Sequence, residues 1–236
     1  MIGSIDGLQR RSARVAGAVY LVSFATVVVV NFGVLGPLLD GDPAHIARSV
    51  LEHETRFRVG LVGQLLYCIG VLVVTGALYI VLRPVDGFLA VLAAVGRLVH
   101  GLSWLLVSLN LLTALRLLTQ PVYAHALPPD QLPVLARLYL SGFDQYYVGL
   151  LFWSLGSTVT AYLWFKAGYV PRPLALVGIP ASAWGAACCI ALFVFPEFPK
   201  LVNLWWFDMP MVLFEISLSV LLVFRGLPPG AVVHSA

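Results

Sequence analysis

The chain has 236 residues, 60% of them hydrophobic and 11% charged, with 14 Lys and Arg against 11 Asp and Glu, a formal net charge of +3 and a mean hydropathy of +0.94. A soluble globular domain carries about 25% charged residues, so the composition excludes an ordinary soluble domain. The small, dispersed positive balance reads as topology signals rather than a nucleic-acid surface.

Repeated apolar runs of membrane length predict an all-α, polytopic membrane protein. The expected architecture is a bundle of six transmembrane helices with two short amphipathic helices in outer loops, forming a single domain over residues 1–236. The constant partner is the lipid bilayer; no nucleic acid is expected.

The first span is predicted at Val15–Leu35, after the basic start Arg10, Arg11 and Arg14, and is ended by Gly36 and Pro37. An apolar run of this length, with no small-residue cleavage site after it, reads as an uncleaved span rather than a signal peptide. The first outer loop then carries "DPAHIARSVLEHE". There Asp42 is the expected N-cap and Pro43 the first helical residue, with Ile46, Ala47, Val50 and Leu51 on one face.

The second span is predicted at Val59–Leu82, with Arg56 and Arg58 as outer anchors that pair with Glu52, Glu54 or Asp144. The third, Gly87–Leu115, is roughly 43 Å long at about 1.5 Å per residue, so it must tilt or protrude. The outer loop after it holds "PDQLPVLARLYL", with Asp130 as cap and a stripe of Leu132, Leu135, Leu138 and Tyr139. Both loop helices are expected against the outer bilayer surface, either as lids that finish the bundle or as a gate.

The remaining spans are predicted at Tyr146–Phe165, Leu174–Phe195 and Pro210–Phe224, with "LVNLWWF" before the last lying at the interface and Trp205 and Trp206 in an outer aromatic belt. The basic residues before the first span favour both termini in the cytoplasm. The longer outer loops carry the acids Asp40, Asp42, Glu52, Glu54, Asp130, Asp144, Glu197 and Asp208.

The informative residues are the charges inside the spans. Arg97, His100, Trp104 and Ser108 share one stripe of the third span. Counted from the cytoplasmic ends, Arg97 and Glu215 each lie roughly 15 Å deep. An unpaired Arg at the bilayer centre costs about 2.5–3.5 kcal/mol on insertion scales. Pairing with Glu215 explains both placements, and His100 is expected to bond the same carboxylate or line a cavity beside it.

A secondary polar stripe is read from Asp144, Tyr147, Ser154 and Thr158 on the fourth span, which Asn31 and Gln64 could meet. Its bland explanation is interhelical hydrogen bonding. Cys68, Cys188 and Cys189 lie in apolar runs and read as small packing residues.

No H-E-x-x-H, C-x-x-C, G-x-S-x-G, P-loop or dinucleotide-binding glycine motif occurs. The spacing of His45, Glu52 and His53 fits no zinc pattern. With His100 alone inside a span, a bis-His haem is disfavoured. No cofactor and no metal is expected.

Four segments carry a resemblance: "FRVGLVGQLLYCIGVLVVTGALYIVLRPV" at 57–85, "LAAVGRLVHG" at 92–101, "LLFWSLGSTVTAYLWFKAGYVPR" at 150–172 and "FEISLSVLLVFRG" at 214–226. They resemble the bacterial membrane family catalogued as domain of unknown function 4386. The most specific pieces fall on Arg58, Arg97, Pro171–Arg172 and Glu215, while the first outer loop is diverged. The resemblance implies a bacterial inner-membrane protein and brings no activity with it.

Three readings stay open. The first is a non-enzymatic membrane protein whose Arg97–Glu215 pair lines a small-ligand, ion or proton site; a homodimer would supply the second half that a carrier needs. The second is an intramembrane enzyme on a lipid or quinone, with His100 and Glu215 as acid–base partners. The third is a purely structural or assembly partner.

Overall fold

The structure is a computed structural model that describes residues 5–126, 128, 130–141, 143–195 and 197–228, and the side chains of these except 124–126, 143–145, 199, 204 and 205. Among the described residues it is all helical, without strands. The order is α1 (Gly7–Val28), a π-helical stretch (Val29–Leu35) and a 3-10 turn (Gly36–Leu38), then α2 (Pro43–Glu52), α3 (Glu54–Leu82), α4 (Gly87–Thr119) and α5 (Pro121–Ala126). It continues with α6 (Gln131–Leu140), α7 (Phe143–Ala167), α8 (Arg172–Val194), α9 (Phe198–Leu201) and α10 (Leu204–Phe224).

Among the described residues, six stretches are long and apolar enough to cross a membrane: Gly7–Leu38, Glu54–Leu82, Gly87–Thr119, Tyr146–Ala167, Arg172–Val194 and Trp206–Phe224. Their burial is inverted relative to a soluble protein. Along α4 the apolar Val91, Leu92, Val95, Leu98 and Leu102 are exposed, whereas Arg97, His100 and Ser108 are buried. Apolar surface on this scale calls for lipid as solvent. The protein is a multi-pass helical bundle.

The helices overrun the predicted spans because local chemistry extends them. Asp6 accepts a hydrogen bond from the Gln9 backbone N–H at 2.7 Å, and the Gln9 side chain accepts from the Asp6 N–H at 3.1 Å. This reciprocal box starts α1 well before the first apolar run. Asp86 caps α4 by accepting from Leu89 N–H at 3.1 Å, and Asn203 caps α10 by accepting from Trp206 N–H at 3.2 Å.

The last helix therefore begins before Pro210 and not at it, so Trp206 is already helical. A proline inside a helix leaves the carbonyl four residues back without its donor. Here that carbonyl, Trp206 O, accepts from the Trp184 indole N–H of α8 at 3.0 Å. Trp205, the other belt residue expected, has its side chain outside the described set.

The described residues divide into two compact units, one drawn from 1–22, 70–101 and 147–236 and the other from 23–69 and 102–146. The first unit has a core of Ala13, Ala16, Val74, Val81, Leu82, Ala161, Leu163, Trp164, Phe214, Leu218 and Leu222. Its helices come together at glycines. A Cβ on Gly96 of α4 would stand 2.6 Å from Phe152 O of α7, and one on Gly156 of α7 would stand 2.9 Å from Ala93 O. The α4 and α7 backbones thus touch where neither has a side chain, the small-residue contact that membrane helices favour. Gly17 of α1 meets α10 likewise, its absent Cβ lying 2.6 Å from Ser219 O.

The second unit has its own core, with Val30, Leu35, Leu38, Ile46, Val50, Phe57, Leu111, Ala114, Leu115 and Leu140. Asp42 caps α2 as expected, accepting from His45 N–H at 2.9 Å. Asp130 makes no side-chain cap bond. The expected faces need two corrections. Leu51 and Leu138 point outward, while Ala136 and Leu140 are buried. The reason is that α2 and α6 pack on each other, so each buries the face its neighbour can reach. Arg137 ties the pair to the chain before α2 by donating to Leu39 O at 3.2 Å.

Candidate functional site

In the first unit the glycine contact between α4 and α7 determines where Arg97 goes. With Gly96 against Gly156, the next side chain of α4 lies within reach of the exposed backbone and small hydroxyls of α7. Arg97 Nη1 donates to Thr160 Oγ1 at 2.7 Å and to Gly156 O at 3.4 Å, and Nη2 donates to Ser157 Oγ at 3.2 Å. The guanidinium carbon lies 5.1 Å from the centroid of the Trp153 ring, close enough for a cation–π attraction.

Glu215 belongs to the buried face of α10 with Met211, Phe214, Leu218 and Leu222. Its carboxylate is approached by donors from two other helices. Tyr20 O–H of α1 donates to Oε2 at 2.6 Å, and the Trp153 indole N–H donates to Oε1 and Oε2 at 3.0 and 3.1 Å. The Ser157 hydroxyl donates to Oε1. The contact between α1 and α10 at Gly17 is what lets Tyr20, one turn along α1, reach Glu215, one turn back along α10 from Ser219.

Arg97 Nη2 lies 3.9 Å from Glu215 Oε1. The two charges are neighbours, but the shorter connection runs through Ser157 Oγ, which accepts from the guanidinium and donates to the carboxylate. The centre is a serine-bridged pair and not a bidentate one. Both residues are buried, at 3% and 5% exposure, and at such depth direct hydrogen bonds to each charge matter as much as the partner charge.

His100 sits elsewhere in the same core. Its ring stands 4.8 Å from the Trp153 ring, centroid to centroid, and hydrogen-bonds the Gly149 backbone. The donors described for the carboxylate are Tyr20, Trp153 and Ser157, and His100 packs against the indole of one of them.

A small cavity of about 10 Å³ adjoins the pair, lined by Thr75, Leu78, Tyr79, Leu82, Ala90, Ala93, Ala94, Arg97 and Thr160. His100 does not line it. Trp104 is placed in an aromatic trio of the second unit, edge-on to Tyr67 at 5.2 Å and to Tyr146 at 5.6 Å.

The secondary stripe separates. In the second unit Asn31 accepts from the Gln64 amide at 3.3 Å, and Ser108 donates to the other end of the Gln64 amide at 3.3 Å. In the first unit Tyr147 lies edge-on to Phe207, Ser154 meets the Met211 sulfur at 3.5 Å, and Thr158 donates back to Ser154 O at 2.8 Å. The side chain of Asp144 lies outside the described residues. Of the outer anchors, Arg58 pairs with Glu54 at 2.6 Å, while Arg56 donates to Gly33 O in the π-helical stretch at 2.7 Å.

Sequence reasoning found the two charges and missed four partners: Tyr20, Trp153, Ser157 and Thr160. Three of these carried a readable signal. Trp153, Ser157 and Thr160 recur at helical spacing on α7 beside Gly156, a polar and small face next to the stripe that was read.

A family model described as Domain of unknown function (DUF4386) matches residues 15–226. No curated protein and no solved structure matches the chain.

Proposed function

The chain belongs to this family, and from that premise we propose a non-enzymatic protein of the bacterial cell membrane, with both termini cytoplasmic, in which Glu215 is a reversible proton site. The observation that carries the reading is how the carboxylate is held. Two of its donors are rotatable hydroxyls, Tyr20 and Ser157, and the guanidinium stays at 3.9 Å.

A hydroxyl can turn from donor to acceptor. A protonated Glu215 can therefore donate to Ser157 or Tyr20 while the helices stay where they are. A bidentate arginine would lock the ionised form. Intramembrane ionisable groups are functional-site candidates by default, and this one is built to be satisfied in both states.

The enzyme reading requires a lipid or quinone to reach His100 and Glu215. The cavity beside Arg97, about 10 Å³, has the room of about one water molecule and is lined by neither of those residues. The architectural reading shares the same pair, so folding data alone do not separate the two.

The test is infrared difference spectroscopy on protein in liposomes, titrated across the pH range in which the helices persist. The expected outcome is a protonated-carboxyl carbonyl band that appears and vanishes reversibly and is absent from Glu215→Gln. The Tyr20→Phe variant, which removes one rotatable donor, is expected to move its midpoint. A carboxylate signal that never changes over that range would leave the pair as architecture only.

A further inference from the structure

The cavity beside the ion pair has a donor and acceptor pattern of its own. Among the described residues, Arg97 Nε is a buried guanidinium nitrogen without a hydrogen-bond partner, and the Arg97 side chain forms part of the cavity wall. Three hydroxyl-bearing side chains share that wall, Thr75, Tyr79 and Thr160, and the protons of the two threonines are already committed. Thr75 donates its proton to Val71 O at 2.7 Å, and Thr160 donates its proton to Gly156 O at 2.8 Å.

Both threonines therefore offer lone pairs to a neighbour. Thr160 accepts once from Arg97 Nη1 and has one acceptor position left. The lining residues thus carry one unpartnered N–H donor, on Arg97, and two threonine oxygens with acceptor positions to spare, with Tyr79 beside them and Leu78, Leu82, Ala90, Ala93 and Ala94 around them.

We infer that this cavity is a binding site for a single neutral hydroxylic molecule of water size, which accepts from Arg97 Nε and donates to Thr75 and Thr160. The volume admits about one water. The polarity selects against an inorganic anion, although an arginine is present. An anion would meet two threonine oxygens whose protons are turned toward their own helices, and turning them back would break both i−4 bonds. A water has the two protons that these oxygens can take.

The site stands on the cavity and on Arg97 and is independent of whether Glu215 titrates. Its effect on the pair is direct. It gives the Nε proton of the guanidinium a partner, beside those that Thr160, Ser157 and Gly156 O already give the two terminal nitrogens.

The experiment uses full-length protein, labelled with ¹⁵N and ¹³C in arginine, in liposomes, with solid-state NMR transfer of magnetisation from water protons. The Arg97 Nε signal is assigned through its own side-chain carbons. Wild type is expected to show rapid build-up from water at Nε, unchanged when chloride is replaced by nitrate. Ala93→Leu fills the cavity and is expected to abolish the transfer. Thr75→Val keeps the shape, removes an acceptor, and is expected to slow the build-up at least twofold; it also serves if the larger side chain prevents folding.

Three results would overturn the proposal. One is no transfer to Nε in folded wild type. The second is transfer of equal rate in the folded variants. The third is an Nε shift that follows the identity of the anion.

Discussion

Two buried polar groups can be compared, one in each unit. The Asn31–Gln64–Ser108 chain is neutral and held by amide and hydroxyl contacts of 3.3 Å. The Arg97–Ser157–Glu215 centre is charged, and it draws side chains from α1, α4, α7 and α10. The difference follows from desolvation. A neutral amide in an apolar surrounding needs one or two partners, whereas a guanidinium and a carboxylate each need several. Two glycine contacts supply the required closeness at the charged centre.

The comparison breaks most visibly if a charge is orphaned. Arg97→Leu leaves Glu215 buried without its cation and is expected to destabilise the protein by about 3–5 kcal/mol. The double variant Arg97→Leu/Glu215→Leu should recover much of that loss. Denaturant unfolding in mixed micelles, run as a double-mutant cycle, measures both. If the two single losses simply add, the residues are uncoupled and the contrast with the neutral chain fails.

The glycine contact comes next. Gly96→Val sets a side chain against Phe152 O and should cost about 1–3 kcal/mol, the usual price of overpacking, as read in the same assay. Arginine side-chain NMR should show the Arg97 environment changed as the helices part. The neutral chain should be less sensitive. Gln64→Leu is expected to cost about 0.6 kcal/mol, near the average for hydrogen bonds between membrane helices; a loss as large as that of Arg97→Leu would erase the distinction between the two groups.

The smallest effect belongs to an ion pair of the first unit between Asp86, in the turn before α4, and Lys166, at the end of α7. Lys166 Nζ lies 3.3 Å from Asp86 Oδ2. The Leu89 N–H bond first, and Lys166 second, hold the Asp86 carboxyl below its ordinary value. A carboxyl lowered in the folded state stabilises above its unfolded pKa, and that contribution fades as pH falls through the folded value. Asp86→Asn should therefore be slightly less stable than wild type at neutral pH and equal to it in acid, as unfolding at two pH values will show.

The solvent, the six spans and the two charges were legible because each is a departure from its background. Long apolar runs stand out against soluble composition, and Arg97 and Glu215 stand out against the runs. The partners were hidden for the converse reason. Tyr20 is ordinary in a membrane helix, and nothing local marks it as a ligand of a distant carboxylate; Ser157 and Thr160 share a small polar face, but the face does not say which charge each one meets.

Trp153 reads as lipid-facing or core until α10 is placed beside it. The early start of α1 was hidden as well, because the Asp6–Gln9 box lies outside the apolar run that defines a span. Pro210 misled as a boundary, since the remedy for its missing N–H is an indole on another helix.

The separation of Glu215 from Tyr20, 195 positions along the chain, has a consequence for biogenesis. Arg97 is synthesised roughly 120 residues ahead of Glu215, which at about 5–20 residues per second is an interval of roughly 6–24 seconds. During it the cation has no carboxylate from α10. The hydroxyls and open carbonyl of α7 emerge before α10, roughly midway through that interval, so the contacts they offer Arg97 can form ahead of the one with Glu215.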